Sequence, residues 1–151
     1  MERKPRAYKL QLLQVREARG PNFNSPDAVA DIFGAEVYAD QEQFWVLDLN
    51  VRNKLIEKRL TNLGTLDMSV VHPRDVFKGA ILNSAASVIL VHNHPSGDTE
   101  PSDEDVKLTK RLVECGNLLG ITVLDHIIVA PLGSNPGDGT KFISLKNRNL
   151  F

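Results

Sequence analysis

A single cysteine, Cys115, leaves this chain unable to close an internal disulfide or build a cysteine-ligated structural zinc site. The same scarcity excludes the P-C-x-x-C signature of zinc-dependent deaminases. The H-E-x-x-H signature of the zincin metalloproteases is also absent. No apolar run approaches the length of a bilayer span, and "MERKPRAYKLQLLQ" lacks the apolar core of a secretory signal. These absences suggest a cytoplasmic protein with no membrane partner. Charge of one sign is missing too. The formal net charge is −1, so no global field gathers nucleic acid or acidic lipid. Two local exceptions carry four Lys or Arg each, "MERKPRAYK" and the stretch Arg52–Arg59. A basic arm could touch phosphates, but such runs are more often solvated. No repeat or low-complexity segment is visible.

What is present fits one structural domain. The chain has 151 residues, 42% hydrophobic and 25% charged, enough to bury a real core. "YKLQLLQV" (Tyr8–Val15) reads as an edge strand, broken by Gly20 and Pro21. Ser25-Pro26 reads as an N-cap and first helical position, opening a helix of about three turns. "QFWVLDLNV" (Gln43–Val51) is a strand, "NVRN" a turn and "KLIEKRL" an antiparallel return. "GTLDMSVV" (Gly64–Val71) reads as a third strand after a break at "TNLG". Pro73 opens a helix with Val76, Phe77, Ala80 and Ile81 on one apolar face. "SVILV" (Ser87–Val91) is continuously apolar, the mark of a strand covered on both faces. A long helix follows from Ser102 to about Leu119, with Val106, Leu108, Leu112, Val113 and Leu119 available for the core, Cys115 as a small buried hydrophobe and Gly120 as its C-cap. "ITVLDHIIVA" is a strand, and "KFISL" a short last one. The expected fold class is therefore α/β, a mixed sheet with helices packed on it.

Between these elements lies "LVHNHPSGDTEPSDED" (Leu90–Asp105). Ser102 and Asp105 after a proline form a capping box, which alone would account for both. It does not account for His92 and His94, which a strand directs to one face where a buried strand meets a loop. His92, His94 and Asp105 together offer two nitrogens and one oxygen. Three protein ligands plus water is the pattern of catalytic zinc. Calcium and magnesium prefer all-oxygen shells, whereas iron(II) answers the same set as zinc. The helix N-terminus favours an ionised Asp105, so capping and ligation are compatible. Ser102 could also donate to an oxyanion beside the metal. Gly97 would let the loop turn tightly, and Pro95 would stiffen it.

The pattern H-x-H-P-x(6)-S-x(2)-D from His92 to Asp105 resembles the metal-binding motif of the JAB1/MPN (JAMM) metalloproteases. "VHPRDVFKGAILNSAASVILVHNHPSG", "PSDED" and "LDHIIV" resemble the RadC branch of that superfamily, historically labelled DNA repair proteins. The resemblance runs from about Asp40 to Leu145. It divides the chain into residues 1–39, a strand and helix packing on the core, and 40–151, the JAMM-type domain. It implies a cytidine-deaminase-like α/β/α architecture. It further implies that His92, His94 and Asp105 ligate Zn2+, that Ser102 supports the oxyanion, and that an upstream glutamate is the general base. Glu42, just before the strand at Phe44, is the candidate for that base, and Glu57 the reserve. Asp125 and His126 are candidates for orienting a ligand imidazole, while His72 reads as a helix-entry residue.

The function implied is a zinc-dependent hydrolase acting on an amide or isopeptide bond of a peptide or protein. The rivals are a nucleic-acid-associated repair protein and an interaction scaffold without turnover. The residues before Glu42 lack the Gly-containing hairpins of the helix-hairpin-helix region found in longer RadC-type chains. An exposed edge strand could pair two copies into a homodimer.

Overall fold

A computed structural model describes residues 17–64, 70–135 and 137–151. One five-stranded mixed sheet organises them, in the order β2-β1-β3-β4-β5. Its strands are β1 (Gln43–Leu49), β2 (Leu55–Leu63), β3 (Ser87–Asn93), β4 (Thr122–Pro131) and β5 (Thr140–Ser144). The pairs β1–β2, β1–β3 and β4–β5 are antiparallel, and β3–β4 is parallel. A parallel pair needs a long crossover. Here it is α3 (Asp103–Leu119), while α2 (Pro73–Leu82) links β2 to β3.

Strand alternation sorts the side chains into two cores. Phe44, Val46, Val88 and Leu90 pack on one face with Val76, Phe77 and Ala80 of α2 and Leu108 and Leu112 of α3. Leu47, Leu49, Ile89 and Val91 pack on the other with Phe23, Val29, Phe33 and Val37. Val29 comes from α1 (Pro26–Ala30), Val37 from a 3-10 turn at Ala35–Tyr38, and Phe23 and Phe33 from the segments on either side of α1. The layering is therefore α/β/α. All seven residues of β3 are buried, as expected of a central strand covered on both faces.

Local chemistry accounts for most boundaries. The hairpin at Asn50–Asn53 is closed by the Asn50 side chain, which accepts from the Arg52 and Lys54 N–H groups at 2.9 and 3.0 Å. Ser25 caps α1, accepting from Ala28 N–H. His72 enters α2 as its N-cap, without a side-chain cap bond. Gly120 ends α3 in the left-handed conformation.

Four expectations change. The helix after Ser25 spans only Pro26–Ala30 rather than three turns. Its last bonds tighten, with Ile32 N–H reaching Val29 O and Phe33 N–H reaching Ala30 O. "TNL" is not a break: β2 runs on to Leu63, and Gly64 N–H closes it on Glu42 O at 2.8 Å. Of the strand expected at Gly64–Val71, residues 65–69 lie outside the described residues, and Gly64, Val70 and Val71 are not in a strand. Finally, Ile81 and Leu119 are more than half exposed, because Ala80 and Gly116 occupy the buried positions of their helices. Cys115 is half-buried at the border of the α2–α3 core. The Tyr8–Val15 strand falls outside the described residues.

Two of the four cations in Arg52–Arg59 work inside the molecule. Lys58 lies over the rings of Phe33 and Trp45, 4.1 and 4.7 Å from their centroids, and is paired with Glu36. Arg59 grips the fully buried Asp48 with two bonds of 2.6 and 2.7 Å and also donates to Val76 O. Gly79 leaves room for that guanidinium. A Cβ there would stand 2.3 Å from Arg59 Nη1.

Candidate metal centre

The sequence brings three elements to one point: the end of β3, the start of α3 and the start of β1. His92 is the penultimate residue of β3, and His94 follows its last. Asp105 is at the third position of α3, where its carboxylate completes the cap. Ser102 Oγ accepts from Asp105 N–H at 3.1 Å, and Asp105 Oδ2 accepts from Ser102 N–H at 2.8 Å. The capping box and the cluster are thus one construction, and the helix N-terminus adds partial positive charge beside the acid.

His92 Nε2 and His94 Nε2 are 2.9 Å apart. Asp105 Oδ1 is 3.4 Å from the first and Oδ2 3.5 Å from the second. These donors all lie within 4.8 Å of one another and could hold a metal ion. His94 Nδ1 contacts Asp98 O at 2.7 Å. Gly97, at φ +85 with open space around its Cα, supplies the loop reversal that brings that carbonyl back.

The electrostatics favour a charged acid. Burial alone would raise the Asp105 pKa, but its closeness to both imidazoles and the bond from Ser102 N–H pull it far below the ordinary carboxylate range. Burial likewise works against a charged His94. Asp105, the Asp98 carbonyl and the charge of Glu42 outweigh it and raise the His94 pKa. Glu42 therefore stands near enough to act on the cluster through its charge. Glu57 does not share that place. It sits opposite Asp48, four residues along β1 from Phe44, or ~13 Å by strand rise. Its carboxylate accepts from Asn83 Nδ2 at 2.6 Å.

Behind the cluster lies a second group. His92 Nδ1 is 2.7 Å from His126 Nε2, and His126 Nδ1 is 2.5 Å from Thr109 Oγ1. Phe44 walls both rings, stacked on His92 with centroids 6.3 Å apart and edge-on to His126 at 5.6 Å. Burial drives the His126 pKa well down. Asp125 points the other way: its carboxylate accepts from Ser144 Oγ at 2.6 Å, Lys146 N–H at 3.2 Å and its neighbour's N–H at 2.7 Å. It ties β4 to the chain after β5 and touches no metal-site imidazole.

Two participants escape sequence reasoning. Asn93, the residue between the histidines, faces the opposite side of β3 and is 1% exposed. Its side chain accepts from Gln43 N–H at 2.5 Å and donates to Gln41 O at 3.1 Å, so it clamps the backbone on both sides of Glu42. Thr109 is fully buried in α3, one turn beyond Asp105. The only signal for it is a polar residue on the helix face that also carries Leu108 and Leu112.

The RadC-like JAB domain family matches residues 23–150, beginning earlier than the motifs alone. A UPF0758 protein of Caldanaerobacter subterraneus is 52% identical over 136 residues, covering 88% of this chain and 55% of that protein. UPF0758 protein YsxA of Bacillus subtilis is 49% identical over 130 residues, 85% of this chain and 53% of its own. A UPF0758 protein of Desulforudis audaxviator is 48% identical over 132 residues, 87% and 54%. The chain thus spans about half the length of the curated relatives it matches, and their names state no activity. Among the described residues no helix is long and apolar enough to cross a membrane.

Proposed function

The chain belongs to the RadC-like JAB domain family, and from that premise we propose that it is a zinc-dependent metallohydrolase of the JAMM type, cleaving an amide or isopeptide bond in a peptide or protein. The observation that carries this reading is the convergence of His92, His94 and Asp105, each offering one donor atom within 4.8 Å of the others. Ligands about 2.0–2.1 Å from a tetrahedrally held zinc stand about 3.3 Å apart. Here the two Nε2 atoms are 2.9 Å apart, and each has its own Asp105 oxygen near that edge length, Oδ1 at 3.4 Å and Oδ2 at 3.5 Å. A mixed nitrogen and oxygen set suits zinc over calcium or magnesium. Three ligands from the protein leave the fourth position that separates catalytic sites from structural ones.

When bound, the ion supplies Lewis acidity, polarising a carbonyl and bringing the pKa of a water to about 7. The chain supplies the rest. Glu42 accepts a proton from the attacking water and returns it to the leaving amine, so that water is added across the C–N bond. Ser102 Oγ, which accepts from Asp105 N–H, still has its own proton to donate to the oxyanion. Asn93 holds the backbone that carries Glu42. The internal duties of Lys58 and Arg59 weigh against a nucleic-acid surface at Arg52–Arg59.

The test is hydrolysis. Zinc-loaded protein is incubated with a mixed peptide library and with a lysine-linked isopeptide, and new amines are followed by mass spectrometry. Cleavage by the wild type, lost in Glu42→Gln and on chelation, is the expected result. No cleavage by the wild type, or equal cleavage by Glu42→Gln, would overturn the assignment.

A further inference from the structure

Asp105 O, Thr109 Oγ1, His126 and His92 form one continuous hydrogen-bonded chain, and its direction can be worked out from the end that has no choice. A carbonyl oxygen only accepts. Thr109 Oγ1 lies 2.6 Å from Asp105 O, a separation of two oxygens that needs a proton between them, and only the hydroxyl can provide it. That proton is then spent. Toward His126 Nδ1, at 2.5 Å, Thr109 Oγ1 must accept, so the Nδ1 carries hydrogen. A neutral imidazole has one N–H. His126 Nε2 is therefore an acceptor, and His92 Nδ1, 2.7 Å away, must donate to it. His92 Nε2 is left with a bare lone pair, directed at His94 Nε2 and Asp105.

We propose that Thr109 and His126 are positioning residues that fix the tautomer of His92, so that its Nε2 is always presented to a metal as a lone pair. The relay rests on the metal-site reading above, which it deepens. It replaces the carboxylate or carbonyl that usually orients a ligand histidine. His94 has such a carbonyl in Asp98 O. For His92, on a fully buried strand, the acceptor arrives through two side chains from neighbouring elements. Because the chain begins on Asp105 O and ends on His92, it also couples two ligands held on different elements, α3 and β3. Reversing any member reverses all of them. With Thr109 unable to accept, His126 is free to carry its hydrogen on Nε2 and donate to His92 Nδ1, which places the His92 hydrogen on Nε2, where the metal must bind.

The test uses the full chain with 15N-labelled histidine. Long-range 1H–15N correlation of the metal-free protein at a pH where imidazoles are neutral is expected to show hydrogen on Nδ1 of both His92 and His126. Chelator competition is expected to give a zinc affinity lower by ~10–100-fold in Thr109→Val, with wild-type affinity regained in Thr109→Ser. Merely structural packing would predict the reverse, since valine matches threonine in shape and serine does not. A His92 hydrogen on Nε2 in the wild type, or equal affinity in Thr109→Val, would overturn the relay. Should the wild type take up no zinc, the functional reading fails, and the metal-free spectrum alone decides the relay by the same criterion.

Discussion

Ser102 is given two duties, a helix cap and an oxyanion donor, and substitution can pull them apart. Ser102→Ala removes the oxygen that accepts from Asp105 N–H. It leaves the reciprocal bond from residue 102 N–H to Asp105 Oδ2, because that donor is backbone. Loss of such a cap costs about 1 kcal/mol, and glycine at the same place only a few tenths. For 151 residues at about 2.1 cal/mol/K each, the unfolding entropy is about 0.3 kcal/mol/K. The alanine variant is expected to melt ~3 °C lower, and the glycine variant ~1 °C lower. Both are expected to bind as much zinc as the wild type, since Asp105 keeps its orienting bond. Hydrolysis is expected to fall by ~10²–10³ in both, as for removal of one oxyanion donor. Calorimetry of the metal-free protein, elemental analysis and peptide turnover give the three readouts. Loss of metal in Ser102→Ala, or wild-type turnover in Ser102→Gly, would refute the division of roles.

Three further outcomes follow from named contacts. Glu42→Gln is expected to abolish hydrolysis at unchanged metal content, whereas Glu57→Gln, which weakens the Asn83 contact, lowers thermal stability and leaves turnover intact. Arg59→Ala leaves Asp48 buried without its cation, at ~3–5 kcal/mol. Gly79→Ala alone is expected to destabilise by ~1–3 kcal/mol through its clash with Arg59, yet to stabilise by about 1 kcal/mol once Arg59 is alanine, a sign change that urea titration of the double-mutant cycle would detect. Asp125 has its pKa raised by burial while folded, so its contribution to stability is full below the unfolded value and is lost as pH rises through the folded one. Relative to Asp125→Asn, the wild type should therefore lose stability as pH climbs above about 4, and a wild type that gains stability over the variant as pH rises would contradict this.

The extent to which the site could be read from sequence depends on how local its parts are. His92 and His94 were legible because a strand repeats every two residues, and Ser102 and Asp105 because a helix start has its own chemistry. Both signals act within a few residues. Glu42 needed the family resemblance, since nothing local separates it from Glu57; the separation comes from strand register, which puts Glu57 opposite Asp48 and Phe44 opposite His92. The clamp made by Asn93 and the contact between Thr109 and His126 were not legible. Their roles depend on the β3–β4 pairing, which slips between Val88 and Ile89, and on the side of the sheet that α3 covers. The short α1 and the long β2 differ from expectation for separate reasons. β2 is carried to Leu63 by its pairing with β1, closed by Gly64 N–H on Glu42 O, and α1 stops where Ile32 and Phe33 N–H turn to the carbonyls of Val29 and Ala30.

The central claim is that His92, His94 and Asp105 hold one catalytic zinc. Elemental analysis of purified wild type, His94→Ala and Asp105→Ala tests it most directly and also separates zinc from iron. One zinc per chain, lost in both variants, is the predicted result. A wild type that carries no metal after dialysis against zinc, or variants that keep it, would contradict the account.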